Sequence, residues 1–208
     1  MEELLNKIET LKLGPVGKQV ESRINEFKKL RNSSWREIFK ELCFCILTAN
    51  FNAERAIEIQ KNIDDGFIND NDLASTLKKF GHRFPNTRAK YIIEARKYMK
   101  EIKDIINSYN DPYELRDWLS KNIKGLGFKE SSHFLRNIGF IELAIIDFHI
   151  IDLLSKFGLI SKPKSRSMSK KKYLEIEEIL KKLAEKLDLN LAELDLYLWY
   201  IETNKILK

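Results

Sequence analysis

Cysteine is almost missing from this chain of 208 residues, which has only Cys43 and Cys45. They stand one residue apart in an apolar stretch of helical character, so their side chains project to different sides and cannot pair. Two cysteines also fall short of an iron–sulfur or structural zinc framework, and no cofactor or metal site is expected. No run approaches the roughly 18 consecutive apolar residues of a membrane span. The opening Met-Glu-Glu-Leu-Leu-Asn lacks the basic start of a signal peptide, so a cytoplasmic protein with no membrane partner is expected. Glutamine is limited to Gln19 and Gln60; with abundant Lys, Glu and Ile this leans towards a thermophile-like composition, against which stand 15 asparagines. Neither a convincing strand nor an internal repeat nor a low-complexity tract is found.

What is present is enough apolar material for a real core, 43% of residues, in one large domain or two small lobes. The 37 basic and 31 acidic residues leave a formal charge of +6, which favours a polyanionic partner.

Helical periodicity runs almost throughout. Glu2 to Leu13 forms a helix that stops at Gly14-Pro15, and Lys18 to Leu30 a second, more polar one. Ser33 or Ser34 caps a helix from Trp35 through Leu47 that is apolar on most of its circumference and is therefore expected at the centre of a core. Ala53 to Ile63 follows, then a turn around Asp64-Asp65-Gly66 and a short helix capped by Asp70 or Asn71. His82 to Arg88 is a basic, aromatic loop, with Asn86 capping one long helix from Thr87 to Ser108. Asp111-Pro112 opens the next helix. Phe128 to Ile138 is a helix closed by Gly139; Asp147 starts another, closed by Gly158. Residues 159–170 form a basic loop, and helices from Lys171 to Leu187 and from Leu191 to about Thr203 finish the chain, the last capped by Asn190 with Glu193 three residues on. The class is all-α.

Between two of these helices lies Gly125-Leu126-Gly127-Phe128-Lys129. Two glycines one residue apart predict a tight hairpin with little side-chain cover, which exposes backbone amides at a helix start. Such an end carries partial positive charge and unpaired N–H groups that suit a phosphate. Lys129 sits in the first turn. A helix from Phe128 to Ile138 advances roughly 16 Å, and the eight residues that follow it reach at most about 26–29 Å. Asp147 can therefore return to the helix end where Lys129 begins. A carboxylate at that position caps its own helix, and it can also face one cleft with the lysine beside a phosphate-binding hairpin. Desolvation and a positive helix end favour loss of the lysine proton, while a neighbouring carboxylate opposes it. His133, one turn after Lys129, either tunes such a site or packs as a partly buried polar residue. In the last helix Leu191, Leu194, Leu198 and Ile201 make the apolar stripe, and spacing alone puts Trp199 at its edge, on a face shared with Asp195.

Taken together, Ile123 to Lys129, the helix to Gly139 and Ile145-Ile146-Asp147-Phe148-His149 resemble the helix-hairpin-helix superfamily of base-excision DNA glycosylases. The C-terminal Tyr197 to Lys208 and the short length are similar to its archaeal-type 8-oxoguanine DNA glycosylase/AP lyases. Superfamily members with an iron–sulfur cluster carry four cysteines after the catalytic Asp; this chain has none there. It also keeps Gly139 but has no Pro before Asp147.

The resemblance implies a lobe of about residues 30–141, a second lobe of 1–29 plus 142–208, and an active site in the groove between them. It implies Lys129 and Asp147 as catalytic residues, Trp199 stacking on the extruded base, Asp195 bonding to it, and the terminal Lys208 recognising 8-oxoguanine. A physical reason for the last is that 8-oxoguanine has an N–H at N7 where guanine has a lone pair, so an α-carboxylate accepts from one and repels the other. Asn50 aligns with the polar wedge of the opened duplex, and Arg83-Phe84 fill or read the vacated side. Gly125, Leu126, Gly127 and His149, with the Lys129 amide, hold phosphates. The partner implied is double-stranded DNA containing oxidised guanine, met by a monomer associated with the nucleoid. Two alternatives remain at this stage: a glycosylase of the same fold for another damaged or mismatched base, and a non-catalytic helix-hairpin-helix DNA-binding module.

Overall fold

The computed structural model describes residues 1–163 and 168–208. Its helices are α1 (Glu2–Lys12), α2 (Pro15–Arg31), α3 (Trp35–Thr48), α4 (Ala53–Ile63), α5 (Gly66–Asn69), α6 (Leu73–Lys79), α7 (Pro85–Ala95), α8 (Ile102–Asn107), α9 (Pro112–Asn122), α10 (Phe128–Asn137), α11 (Phe148–Lys156), α12 (Lys170–Lys186) and α13 (Leu191–Thr203). No strand occurs among the described residues, in keeping with the all-α expectation. The expected basic loop at 159–170 includes residues 164–167, which lie outside the described residues.

The chain divides into two compact units, one of residues 28–138 and one that joins 1–27 to 139–208. The first is built around α3. Every residue from Ile38 to Thr48 is buried, and α4, α5, α7, α8 and α10 pack against this helix. Ser34 caps it by accepting from the Glu37 N–H. The polar groups that α3 carries inward are satisfied: Glu41 accepts from Gln60 Nε2 at 3.1 Å and from Asn137 Nδ2 at 2.6 Å. Asn137 in turn accepts from Arg136 at 3.0 and 2.8 Å. That network ties α10 to α3.

In the second unit α11, α12 and α1 pack on α13. Leu143 to Ile146 is a buried segment without helix or strand pairing. Buried backbone needs partners, and α12 supplies them: Glu177 accepts from the Ala144 N–H at 2.9 Å, while the Tyr173 hydroxyl donates to the Ala144 carbonyl at 2.7 Å and accepts from the Ile146 N–H at 3.3 Å. The segment delivers the chain to α11.

Three local expectations are corrected. The expected long helix from Thr87 to Ser108 is broken into α7, a 3₁₀ turn at Arg96–Tyr98, and α8. At the break Arg96 donates to the carbonyls of Phe67, Gly66 and Asp70 at 2.9, 3.2 and 2.8 Å, serving the end of the four-residue α5. Asn86 does not cap α7, because the helix already begins at Pro85, whose fixed φ and missing N–H suit a first helical position. α6 is capped by Asp72, while Asp70 accepts from the Asp72 N–H and the Thr76 hydroxyl.

Candidate active site

Within residues 28–138 the hairpin has a specific backbone geometry. Gly125 sits at φ +89°, and a Cβ there would lie 2.6 Å from Tyr91 Cδ2 and 3.3 Å from Ile46 Cγ2. Glycine is therefore required at this point both by conformation and by space. Gly127 is extended, and α10 starts directly after it. The first bond of that helix runs from the Ser131 N–H to the Gly127 carbonyl at 2.9 Å, so the amides of Phe128 and Lys129 precede the helical ladder and suit an anion. Two further hairpin amides are engaged within the chain. The Leu126 N–H donates to the Ile123 carbonyl at 3.2 Å, and the Gly127 N–H to Glu130 Oε2 at 3.1 Å.

Lys129 is half-buried, with Nζ 3.8 Å from Glu130 Oε1. Glu130 was not singled out by sequence reasoning; its signal was the acidic residue three positions after the helix-capping Gly127. His133 is buried and sets its ring edge-on against Phe44, with centroids 5.6 Å apart.

Asn50 and the Arg83-Phe84 pair belong to this same unit. Asn50 is exposed on the turn after α3, at φ +57°, a left-handed conformation that asparagine tolerates better than most residues. Arg83 and Phe84 are exposed, the guanidinium 4.9 Å from the ring centroid. Two residues behind them escaped notice as functional candidates. His82 is buried, with Nε2 at 3.1 Å from the Leu47 carbonyl and Nδ1 accepting from the Phe84 N–H at 3.0 Å. Arg88 is buried, donates to the Ala49 carbonyl, and stands 5.9 Å from both the Phe84 and Tyr91 centroids. Burial disfavours its charge, which Tyr91 and Glu130 partly offset.

In the unit of residues 1–27 and 139–208, Asp147 is the N-cap of α11. Its Oδ1 accepts from the Ile150 N–H at 3.0 Å, which fixes the carboxylate at the helix start. His149, two residues on, is exposed and approaches Glu202 Oε1 to 3.8 Å through Nδ1. Its ring stands edge-on to Trp199, with centroids 5.2 Å apart and planes at 81°. Trp199 is half-buried, and its Nε1 is buried with no hydrogen-bond partner among the described residues. Asp195 is buried one turn earlier and borders a small gap with Ile145, Ile150, Leu194 and Leu198. Lys208 is partly covered. Asp147, His149 and Trp199 are thus brought together by α11 and α13, and the hairpin and Lys129 by α10.

The family described as 8-oxoguanine DNA glycosylase matches residues 20–189. An 8-oxoguanine DNA glycosylase/AP lyase of Korarchaeum cryptofilum is 49% identical over 210 residues, covering 100% of this chain and 99% of its own. One from Methanocaldococcus jannaschii is 50% identical over 208 residues, covering 99% of each. The crystal structure of the M. jannaschii 8-oxoguanine glycosylase/lyase in complex with a 15mer DNA containing 8-oxoguanine superimposes with a TM-score of 0.95, at 48% identity, over 99% of this chain and 100% of that one. The structure of the 8-oxoguanine DNA glycosylase of Thermotoga maritima gives a TM-score of 0.92 at 43% identity, over 100% of this chain and 99% of that one. With a family match over most of its length and relatives this similar along their whole chains, the protein belongs to the 8-oxoguanine DNA glycosylase family.

Proposed function

We propose that this chain excises 8-oxoguanine from double-stranded DNA and then cuts the abasic strand, with Lys129 as nucleophile and Asp147 as the carboxylate that stabilises the sugar. The observation that carries the reading is the full-length likeness to a glycosylase/lyase crystallised with 8-oxoguanine DNA. Lys129 beside the Gly125–Gly127 hairpin and Asp147 at the start of α11 supply the chemistry it requires.

The steps follow from the side chains. Free lysine is protonated at neutral pH, with a pKa of about 10.4, so the amine sheds its proton before it attacks. Nζ then bonds to C1′ as the glycosidic bond breaks, and the base leaves with that bonding pair and takes up a proton. Oxocarbenium character on the sugar is opposed by the negative charge of Asp147. The attached nitrogen then gives up a proton, and the lone pair this frees expels the ring oxygen, which is protonated to a hydroxyl, and gives an iminium. Loss of the C2′ proton sends an electron pair towards it, and the C3′–O bond breaks with the phosphate as leaving group. Water hydrolyses the imine and returns Lys129.

The target base has to leave the stack, at a cost of a few kcal/mol. Trp199 supplies the stacking surface, with Asp195 and Lys208 as base contacts; Asn50, Arg83 and Phe84 occupy the opened duplex. The Phe128 and Lys129 amides and His149 hold phosphates, so affinity falls steeply with salt. The enzyme works as a monomer on genomic DNA, in the cytoplasmic nucleoid.

Borohydride trapping tests the reading. A covalent adduct forms with an 8-oxoguanine duplex and is absent for Lys129→Gln. Absence of an adduct on every lesion tried would overturn the lyase assignment, and preference for a different base in a panel of single-lesion duplexes would overturn the substrate.

A further inference from the structure

The turn that carries Asn50 and the loop that carries Arg83-Phe84 are held together by hydrogen bonds from one short stretch of chain. His82 Nδ1 accepts from the Phe84 N–H at 3.0 Å. An imidazole nitrogen that accepts carries no proton, so in the neutral ring the proton is on Nε2 and donates to the Leu47 carbonyl at 3.1 Å. The same ring stacks on Phe51, with centroids 4.2 Å apart and planes inclined by 29°. Leu47 and Phe51 flank Asn50 on either side. Between them the Ala49 carbonyl accepts from Arg88, whose guanidinium also lies near Phe84.

We propose that His82 is a positioning residue, which locks the Asn50 turn and the Arg83-Phe84 loop into one arrangement for opening the duplex. The proposal rests on the reading of those three residues as the ones that occupy the opened helix. Only the neutral ring can make both hydrogen bonds, because protonation turns Nδ1 into a donor facing the Phe84 N–H. Burial disfavours the protonated ring, the Leu47 carbonyl favours it, and Arg88 opposes it. Arg55 of α4, whose Nη2 lies 2.8 Å from where a Gly81 Cβ would stand, is a further charged group against this loop, which itself carries Arg83. The lock holds at neutral pH and opens in acid.

The test isolates extrusion from chemistry. In a Lys129→Gln background, 2-aminopurine beside 8-oxoguanine reports base extrusion without cleavage. Its amplitude should fall as pH drops from about 7.5 to about 5, through the imidazole range. Adding His82→Phe, which keeps a ring but neither hydrogen bond, should lower the amplitude at neutral pH by about tenfold and remove the acid limb. His82→Asn retains an acceptor for the Phe84 N–H and should restore much of the amplitude while staying flat with pH. In the otherwise native chain, His82→Phe should trap on a preformed abasic site within about twofold of the parent, since no base needs extruding there. Unchanged amplitude in His82→Phe, a retained acid limb, or a trapping defect as large as the extrusion defect would overturn the proposal. If Asn50→Ala and Phe84→Ala both extrude normally, the underlying reading of the two loops fails; if they are impaired and His82→Phe is not, the lock alone fails.

Discussion

Replacing Gly125 with alanine should damage the hairpin far more than the same change at Gly127, two residues away. At φ +89° a side chain brings a left-handed backbone cost of roughly 1–2 kcal/mol. The added Cβ would also lie 2.6 Å from Tyr91 Cδ2 and 3.3 Å from Ile46 Cγ2, so a packed ring must move, at about 1–3 kcal/mol. The two sum to about 2–5 kcal/mol, which lowers the melting temperature by roughly 5–15 °C for a chain of this size. Gly127 is extended, and its Cβ would meet only the end of the Glu130 side chain at 3.1 Å, so alanine there should cost under about 1 kcal/mol. Unfolding followed by tryptophan fluorescence in a Trp199→Phe background reads the right region, because the remaining Trp35 and Trp118 both lie within residues 28–138. A Gly125→Ala loss no larger than that of Gly127→Ala would refute the argument from backbone and contact.

Three further outcomes are expected. Asn137→Ala removes an acceptor of Arg136 and one of the donors to Glu41, and urea unfolding should register a loss of about 2–4 kcal/mol. Burial disfavours the Lys40 charge, but the hydrogen bonds it donates to Asp64, Asp65 and Glu37 override this and push its pKa up, while the bond from Lys40 lowers that of Asp64. A depressed carboxyl stabilises the fold above its unfolded pKa of about 3.9 and loses that contribution as pH falls through its folded value, so acid titration of Lys40→Met should show a shallower loss of stability below about pH 4 than the parent. Trp199→Leu should slow excision of 8-oxoguanine from duplex DNA by about 5- to 150-fold, in line with a stacking contribution of about 1–3 kcal/mol. Trapping on a preformed abasic site should stay within about twofold of the parent, because no base is stacked there.

The parts of the molecule that could be read from the sequence are those whose signals are local. Asp147 precedes an apolar helix and bonds to an amide three residues away; Asn190 and Glu193 cap α13 reciprocally; Gly125 and Gly127 announce a turn. The break in the helix after Ala95 carries no such signal, since no glycine or proline falls between Arg96 and Glu101. Its physical basis is a guanidinium reaching carbonyls 26–30 residues back in the chain. His82 and Arg88 were visible as part of a basic, aromatic loop, but their partners lie 35 and 39 residues away, and nothing in residue spacing pairs them. His133 illustrates the opposite limit: helical phase puts it one turn from Lys129, yet a ring from α3 occupies its side.

The interrupted path of the chain has a consequence for synthesis. Residues 28–138 hold their whole unit in one continuous stretch, which can close soon after Ile138 leaves the ribosome. Residues 1–27 are made first but have to wait, because their partners arrive last: α1 packs on α13, and Lys12 Nζ donates to the Leu187 carbonyl at 2.5 Å. A nascent chain whose Ile138 has just left the ribosome would therefore carry a folded hairpin with Lys129 in place, while Asp147, nine residues later, is still held inside.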